Sequence, residues 1–373
     1  MRPQKSPQVV RVLGFMSGTS LDGVDAALLE TDGLDVLSSL GHAFVPYPTS
    51  LQDALLAVMA REGGVLALSE HEKDNLAHQI TQLHLEAARN VMAQTGVVPQ
   101  LVGFHGQTIY HNPERRTSIQ LGDPVLLSEV LGVPVIHTFR QNDLDHGGQG
   151  APLVPIYHAA LAKRAARPCL FVNVGGISNL TWCGEEADGL IAFDAGPANA
   201  PLNDWTKKHF GACFDRGGAL AAKGRVHTLY VEKFLSHTYF AAPPPKSLDR
   251  GTFDFSSFED LLPHDGLATL TRLVAEAIVL SARALPPVKG VYVCGGGRHN
   301  LTLRAHLEAL FTVPVQDVET LGVNGDFLEA EAFAYLAKRA YDRLPISFPG
   351  STGVSYPVTG GVCAFPKDPQ KVL

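Results

Sequence analysis

Cysteine is scarce in this sequence, and the few cysteines form no recognisable pattern. The 373 residues include five of them, widely spaced and odd in number. No CxxC pair occurs, so the pattern favours neither a zinc site nor a disulfide framework. An excess of positive charge is also missing, because the formal net charge is −7. This sign argues against nucleic acid or an anionic membrane as a partner, although it is compatible with a local basic pocket.

Long apolar runs are missing as well. No segment approaches the ~18 apolar residues of a membrane span. The apolar part of the N-terminal "MRPQKSPQVVRVLGFM" is too short for a signal peptide, so we expect a cytoplasmic protein. What is present is an ordinary globular composition, with 45% hydrophobic and 18% charged residues. A chain of this length exceeds what one hydrophobic core usually holds, which predicts two domains.

The stretch "GFMSGTSLDGVDAALLE", residues 14–30, places a glycine- and hydroxyl-rich turn between two apolar runs. Successive backbone N–H groups in such a turn can bind an anion, and glycine allows close approach to the backbone. Phosphate is the obvious ligand, but no lysine follows Gly18 or Gly23 as a Walker loop requires. Asp22 and Asp25 are candidates to contact Mg²⁺. Asp22 could equally well cap the turn.

The first half of the chain reads as an α/β module. Residues 10–46 predict three strands separated by the turns "SGTSLDG" and "TDG". Residues 49–62 and 69–95 predict helices, the second of which starts at Ser69 and ends at Gly96 in the manner of a capped helix. The segment "LVGFHGQTIYH" predicts a short apolar run broken by a polar turn.

The second half repeats this order. Residues 168–200 predict a strand, a Gly-Gly turn and two further strands, and helices are predicted at 199–209 and 266–285. The segment "GVYVCGGGRHN" then predicts a strand that runs into three glycines. Both turns follow apolar runs and so lie at the carboxyl ends of predicted strands, where α/β folds bind ligands. The glycines of these turns are Gly175 and Gly176, and then Gly295, Gly296 and Gly297.

Two similar α/β modules predict two facing lobes with the glycine turns in the cleft between them. In this interpretation the first two turns hold the β- and γ-phosphates of a nucleotide, and the third lies beside the ribose and adenine. The alternative is that two glycine hairpins occur by chance in a glycine-rich chain.

The segment "AFDAGPANAPLND", residues 192–204, supplies a candidate catalytic group. Asp194 is predicted at the end of an apolar strand, with its carboxylate on the ligand side. A carboxylate in this position is a natural general base if it lies within hydrogen-bond reach of the nucleophile. The alternative is that Asp194 caps the helix that follows.

Two further polar segments are suited to hydrogen-bonding a sugar or an acid. "GFHGQTIYH" contributes Gln107, and "TFRQNDLDHGGQG" contributes Arg140 and Asp143. Arg140 could pair with a substrate carboxylate through its planar guanidinium, or with Asp143 as a structural pair. The spacing of His105 and His111 does not indicate a metal site, and we interpret them as histidines satisfied by their surroundings.

The segment "GDFLEAEAFAYLAKRA" predicts a helix with two distinct glutamates. Glu329 shares a face with Phe333 and Leu336, so it lies on the apolar stripe. A glutamate there costs free energy unless it is paired, which suggests a role in the cleft. The face of Glu331 suggests exposure to solvent.

With these motifs in view, the chain strongly resembles the anhydro-N-acetylmuramic acid kinase family. That family belongs to the actin/hexokinase/sugar-kinase superfamily, whose members have two ribonuclease H-like lobes. The matching motifs follow the family's order over about residues 10 to 340: "MSGTSLDGVD", "HGQT", "GGQGAPLVP", "NVGGISN", "FDAGPAN", "FDRGGALAAKG", "PKSLDRGTF" and "VCGGGRHN".

The resemblance implies an α/β fold of two ribonuclease H-like lobes with a central ATP-binding cleft. We expect an N-terminal lobe over residues 1–140 and a C-terminal lobe over 141–340, with the tail at about 341–373 packed back on the first lobe. It also implies a homodimer that acts on a small amino sugar.

Residue by residue, the resemblance makes Asp194 the catalytic base and implies a substrate pocket with Gln107, Arg140, Asp143 and Glu329. Its ATP-phosphate segment comprises Gly18, Thr19, Ser20, Leu21, Asp22, Gly23, Val24 and Asp25.

The implied reaction uses ATP and Mg²⁺ on 1,6-anhydro-N-acetylmuramic acid. This sugar has no free 6-hydroxyl because O6 is bound to the anomeric carbon C1. Water activated by Asp194 would open the bridge at C1, with oxocarbenium-like character as in glycoside cleavage. O6 would then accept the γ-phosphoryl group, giving N-acetylmuramic acid 6-phosphate and ADP in the recycling of cell-wall amino sugars.

Two other functions are weighed against this one. An ordinary hexose or amino-sugar kinase would use Asp194 to deprotonate a substrate hydroxyl instead of water. A nucleotide-driven chaperone or filament protein of the same superfamily would need an additional domain or insert, for which 373 residues leave no room.

Overall fold

The structure is a computed structural model whose described chain divides into two compact units. The first unit comprises residues 1–160 and 327–373, and the second comprises 161–326. These bounds differ from the expected lobe bounds at 140/141 and 340/341. The described residues are 8–18, 20–61, 64–185, 189–244, 246–248 and 251–367.

The strands and helices follow the order expected of two α/β modules. The strands are β1 (Val10–Ser17), β2 (Gly23–Thr31), β3 (Val36–Pro46), β4 (Leu101–Asn112), β5 (Thr117–Leu121), β6 (Val135–His137), β7 (Cys169–Val174), β8 (Ile177–Cys183), β9 (Leu190–Pro197), β10 (Gly290–Cys294), β11 (Val315–Asp317) and β12 (Val362–Ala364). The α-helices are α1 (Thr49–Ala60), α2 (Glu70–Thr95), α3 (Pro124–Leu131), α4 (Gln141–Asp145), α5 (Pro155–Leu161), α6 (Asn199–Phe210), α7 (Thr228–Leu235), α8 (Thr238–Ala241), α9 (Pro263–Ala282), α10 (Leu301–Leu310), α11 (Leu328–Tyr341) and α12 (Pro349–Thr352).

The sheet of the first unit has the order β12-β6-β4-β1-β2-β3, with β5 paired to β4. Strand β2 is antiparallel to β1 and β3, whereas β4 is parallel to both β1 and β6. One face packs into a hydrophobic core with α1 and α2, to which Leu13 and Phe15 belong. Helix α11 lies on the other face. A Cβ on Gly14 would lie 2.0 Å from the carbonyl oxygen of Ala330, so glycine lets the helix backbone touch the sheet.

The sheet of the second unit has the order β11-β10-β7-β8-β9. Strand β8 is antiparallel to β7 and β9, and β10 is parallel to β7 and β11. Val172, Val174, Phe193 and Val293 face a core formed with α6, α9 and α10. This face carries the alternate apolar residues of each strand, as period-2 patterning requires.

Both sheets therefore share one strand order. Read from the third strand, they are β3-β2-β1-β4-β6 and β9-β8-β7-β10-β11, each with its second strand antiparallel to the rest. This is the 3-2-1-4-5 order of a ribonuclease H-like lobe. The predicted α/β fold with two such lobes is confirmed.

The predicted ends of helix α2 are confirmed, whereas the predicted turn within residues 101–111 is wrong. Helix α2 begins with a capping box between Ser69 and Glu72 and ends at Gly96 in the left-handed conformation. The segment 101–111 is not interrupted by a turn, because it lies within strand β4. Gly106 in this segment has φ +72°, but the strand continues through it, and β4 pairs with β1 on one side and with β5 on the other. In the described part of the chain, none of the helices combines the length and apolar character needed to span a bilayer.

Candidate functional site

The first glycine turn connects β1 to β2 and is anchored through its own carbonyl groups. The N–H of Leu21 donates to the carbonyl oxygen of Gly18 at 3.2 Å, and the N–H of Tyr47 donates to that of Asp22 at 3.0 Å. The side chain of Gln52 donates to the carbonyl oxygen of Leu21 at 3.0 Å. Leu21 has φ +59°, an uncommon conformation for a non-glycine residue. Thr19, expected in this turn, lies outside the described residues.

The side chain of Gln107 is hydrogen-bonded to this turn. Its side-chain Nε2 donates to the carbonyl oxygens of Gly18 and Thr108, each at 3.1 Å, and its Oε1 accepts the hydroxyl of Tyr47 at 3.1 Å. Gln107 is completely buried. Both N–H bonds of the amide are therefore used inside the protein. The direct substrate contact expected of Gln107 stays a prediction, whereas its contact with the turn is a feature that the sequence pattern did not indicate.

A buried histidine, His84 of α2, continues this network. Its Nε2 lies 3.1 Å from the hydroxyl of Ser17, the last residue of β1, and its Nδ1 lies 2.8 Å from the carbonyl oxygen of Ile80. The carbonyl oxygen can only accept, so Nδ1 carries the proton and Nε2 accepts from Ser17. Burial lowers the pKa of His84 to about 4. Burial likewise raises the pKa of Tyr47 to about 12, which keeps its hydroxyl a donor.

Arg140 is held by protein groups at the start of α4. Its Nε and Nη2 both approach Nε2 of His105, at 3.1 and 2.8 Å, and Nη1 donates to the carbonyl oxygen of Gly150 at 2.8 Å. Nδ1 of His105 lies 2.7 Å from the carbonyl oxygen of Gly106, so His105 is the neutral Nδ1–H tautomer. Burial and the Arg140 charge hold the pKa of His105 well below its usual value. Burial lowers the pKa of Arg140 to about 10, which still leaves it charged at neutral pH.

Two of the predicted acidic residues lie near Arg140. The charges of Glu329 and Asp143 both favour the protonated guanidinium. Burial raises the pKa of Glu329, and Arg140 opposes this rise while Asp22 adds to it. The structure thus brings Arg140, Asp143, Glu329 and Asp22 into one electrostatic group in the first unit. Asp143 itself accepts the N–H of Gly150 at 2.6 Å and so also has a structural role.

The prediction for Glu331 is wrong. Glu331 is completely buried in the first unit and accepts hydrogen bonds from the hydroxyls of Ser39 at 2.7 Å and Tyr157 at 2.6 Å. Helix α11 is covered on almost every side, so a helical face opposite the apolar stripe does not reach solvent here. The two hydroxyl donors compensate for the burial of the carboxylate.

In the second unit, the two remaining glycine turns lie together around Val174 at the carboxyl end of β7. A Cβ on Gly295 would lie 2.8 Å from the carbonyl oxygen of Val174, and one on Gly297 would lie 2.2 Å from its Cγ1. The carbonyl oxygen of Gly175 accepts the N–H of Asn199, the first residue of α6, at 2.9 Å. The parallel pairing of β7 with β10 brings both turns to the same edge of the sheet.

Two of the predicted nucleotide-turn glycines, Gly176 and Gly296, are not explained by the internal structure. A Cβ on Gly176 would meet nothing closer than Ala200 Cβ at 3.9 Å, and one on Gly296 would meet nothing within 4 Å, whereas one on Gly18 would make a tight contact of 3.3 Å with Ser20 Oγ. Their φ angles also lie outside the left-handed region. Space beside a glycine that neither packing nor φ requires is what close approach of a ligand would need.

Asp194 lies inside β9 and not at its end as predicted. The register between β8 and β9 pairs Asn179 with Asp194 and Ser178 with Gly196, which leaves Ala195 as an extra residue. This β-bulge lets the strand continue past the carboxylate, and bulges often re-aim side chains beside active sites. Asp194 does not cap α6, whose N-cap position is Ala198 and has no side-chain hydrogen bond.

The carboxylate of Asp194 is held from two sides by N–H donors. Nδ2 of Asn179 donates to Oδ1, and the backbone N–H of Leu248 donates to Oδ2 at 2.7 Å. The backbone of Asp194 is held as well, because its N–H donates to the carbonyl oxygen of Lys246 at 3.0 Å and its carbonyl oxygen accepts the hydroxyl of Tyr239 at 2.5 Å. The segment 246–248, from the motif "PKSLDRGTF", therefore lies directly on Asp194.

Candidate ligands for Mg²⁺ occur in the first turn. Asp22 is exposed and its Oδ1 accepts the hydroxyl of Ser20 at 2.8 Å, and Asp25 is half-buried in β2. Among the described residues there is no group of three or more histidine, cysteine or acidic side chains that could hold a metal. Mg²⁺ usually binds through one or two carboxylates together with substrate phosphates and water. The donors present fit that mode of binding.

The fold and these turns are typical of the sugar-kinase class, and comparison with known sequences narrows the class to one family. The sequence model of the family "Anhydro-N-acetylmuramic acid kinase" matches residues 10–366. The anhydro-N-acetylmuramic acid kinase of Rhodospirillum rubrum is 44% identical over 359 residues, covering 96% of this chain and 95% of that protein. The one of Acidiphilium cryptum is 44% identical over 355 residues, covering 94% and 97%. The chain belongs to the anhydro-N-acetylmuramic acid kinase family, which confirms the resemblance of its motifs.

Similarity to solved structures is weaker. A ROK family glucokinase from Streptomyces griseus, solved with glucose and AMPPNP, is 11% identical with a TM-score of 0.40, covering 88% of this chain and 99% of that one. Component A of the Acidaminococcus fermentans (R)-2-hydroxyglutaryl-CoA dehydratase is 14% identical with a TM-score of 0.45, covering 88% and 99%. Neither similarity carries an argument about function.

Proposed function

We propose that this chain is an ATP-dependent kinase that opens the 1,6-anhydro ring of 1,6-anhydro-N-acetylmuramic acid with water and phosphorylates O6. The products are N-acetylmuramic acid 6-phosphate and ADP. Membership of the family supports this reaction. The observation that carries the mechanism is the carboxylate of Asp194, oriented by Asn179 and by the N–H of Leu248.

In this mechanism Asp194 is the general base. N–H donors favour the charged form of a carboxylate, which is the form that a general base needs before it accepts a proton. It takes one proton from water while the water oxygen forms a bond to C1 of the sugar. The C1–O6 bond breaks, and its electron pair goes to O6. O6 then bonds to the γ-phosphorus as the bond from that phosphorus to the β,γ-bridging oxygen breaks, which releases ADP. The proton held by Asp194 leaves to solvent.

The glycine turns are proposed to bind the nucleotide. Gly176 and Gly296 have space beside their Cα atoms, which suits close approach of phosphate or ribose. Phosphoryl transfer depends mainly on positioning and on stabilisation of charge. Asp22 and Asp25 would hold Mg²⁺, which when bound neutralises charge on the β- and γ-phosphates.

Arg140 and Glu329 are proposed to bind the sugar. Three N–H groups of Arg140 are used within the protein, and a guanidinium has five. The remaining two are suited to the carboxylate of the muramic acid substituent. Glu329, whose pKa is raised, would interact with the substrate near this group. The homodimer and the cytoplasmic location also stay predictions.

The substitution Asp194→Asn tests the proposed base. We expect turnover of the anhydro sugar to be lost while the affinity for ATP stays close to that of the wild type, because the nucleotide turns are unchanged. Product formation is read by mass spectrometry and ATP affinity by calorimetry. An equal loss of ATP affinity would indicate a structural role for Asp194. If the wild-type enzyme phosphorylates a sugar with a free 6-hydroxyl faster than it phosphorylates the anhydro sugar, this would instead indicate an ordinary hexose kinase.

A further inference from the structure

A row of three polar side chains crosses the second sheet and ends at Asp194. The register places Asn173 of β7 opposite Asn179 of β8, and Asn179 opposite Asp194 of β9. Neighbours of these residues, such as Val172 and Phe193, face the hydrophobic core. Because side chains alternate along a strand, the polar row lies on the other face of the sheet.

The charge of Asp194 fixes the orientation of both amides in this row. An ionised carboxylate can only accept, so the group of Asn179 next to Oδ1 of Asp194 is its Nδ2. The Oδ1 of Asn179 then faces Asn173, whose Nδ2 donates to it at 3.4 Å. This turns Oδ1 of Asn173 towards Gly295, where a Cβ would approach it to 2.3 Å. One directed chain of hydrogen bonds thus runs from Asn173 through Asn179 to the carboxylate of Asp194, and its first residue lies beside the third glycine turn.

We propose that Asn179 is the positioning residue of the catalytic base and that Asn173 fixes the orientation of the Asn179 amide. This inference rests on the proposed role of Asp194 as the base. Asn179 holds Oδ1 and the N–H of Leu248 holds Oδ2, so the carboxylate plane is set by two donors from opposite sides. Without Asn179 the donor to Oδ1 is lost, and the carboxylate is oriented less precisely towards the attacking water. Neither asparagine takes or gives a proton in the reaction.

The test compares the pH dependence of kcat in matched variants. For Asn179→Ala we expect kcat to fall roughly 10- to 100-fold, the size of effect that misplacement of a reacting group produces. We also expect the acidic limb of the kcat profile to move up by about one pH unit, because the charged carboxylate loses a donor. Asn173→Ala should move the same limb in the same direction by less, since it frees the Asn179 amide to rotate. A purely structural role would not move this limb.

The control is Thr181→Ser, on the same face of β8 and two residues from Asn179, which keeps its hydroxyl and should leave kcat and the acidic limb unchanged. An unmoved limb in Asn179→Ala would overturn the proposal. If Asn179→Ala does not fold, the acidic limb of the kcat profile of Asn173→Ala takes its place, and an unmoved limb there would overturn the proposal. Asp194→Asn, measured alongside, distinguishes failure of the proposed base from failure of the proposed positioning role. Turnover retained by Asp194→Asn would contradict the proposed base, whereas its loss together with unmoved limbs in the asparagine variants would contradict only the positioning role.

Discussion

His84 makes a quantitative prediction about the first unit, because it is a neutral, buried histidine beneath the first glycine turn. An unfolded histidine has a pKa near 6.5, whereas burial lowers the pKa of His84 to about 4. The unfolded chain therefore binds the proton first as the pH falls. The stability that neutral His84 allows is complete above pH 6.5 and is lost progressively as the pH falls towards 4.

The size of this loss follows from the two pKa values. At 1.36 kcal/mol per pH unit, the interval between them corresponds to about 3 kcal/mol in the free energy of unfolding. At about pH 4.5 the loss from this one site should already be about 2 kcal/mol relative to pH 7. Protonation would also convert Nε2 into a donor, so the hydrogen bond from Ser17 would have to reverse, with Ser17 Oγ as the acceptor.

The perturbation is His84→Gln, whose amide can replace the hydrogen bonds but does not titrate. Wild type and variant are unfolded in urea at both pH values, and all other titrating groups cancel in the difference between them. The free-energy difference should shift in favour of the variant by about 2 kcal/mol between about pH 7 and about pH 4.5. His71→Gln, exposed on the same helix, is the matched control and should follow the wild type.

The choice of probe matters for this assay. Trp182 and Trp205 are the two tryptophans of the chain, and both lie in the second unit. Tryptophan fluorescence therefore follows the second unit, whereas far-UV circular dichroism follows both. Comparison of the two signals identifies the transition of the first unit. A free-energy difference that stays constant with pH would refute the reasoning.

Two further substitutions test the glycine turns. Gln107→Leu removes the donor to Gly18 and leaves the hydroxyl of Tyr47 without its acceptor, so the Kd for ATP should rise about 10-fold and the free energy of unfolding should fall by about 1–3 kcal/mol. Calorimetry measures the Kd and urea unfolding measures the stability. Unchanged ATP binding would mean that Gln107 does not support the nucleotide turn. Gly296→Ala meets no atom of the protein, so it should leave stability within about 1 kcal/mol of wild type while weakening ATP binding. Normal ATP affinity in this variant would mean that the space beside Gly296 does not belong to the nucleotide.

The fold was predictable because its signals are local and repeated. Three strands at 10–46 and three at 168–200 follow from apolar runs and glycine turns, and their recurrence predicts two similar modules. The capped ends of α2 at Ser69 and Gly96 are likewise readable from residue types at fixed positions.

The side-chain environments were less predictable because they depend on residues far apart in the chain. Leu248, which donates to Asp194, is 54 positions away from it, and His84 is 67 positions from Ser17. The error for Glu331 has the same origin, since its partner Ser39 is 292 positions away. Only the motif "PKSLDRGTF" gave a signal for the segment beside Asp194, and it did not show which group the segment contacts.

The central claim is that water attacks C1 of the anhydro sugar during turnover. Isotope labelling tests this claim most directly. The reaction is run in ¹⁸O-water on 1,6-anhydro-N-acetylmuramic acid, and the product is fragmented by mass spectrometry. An unlabelled product kept in the same water for the same time corrects for exchange at C1. We predict one ¹⁸O atom on C1 and none in the phosphate group. Label in the phosphate, or a sugar without label at C1, would contradict the account.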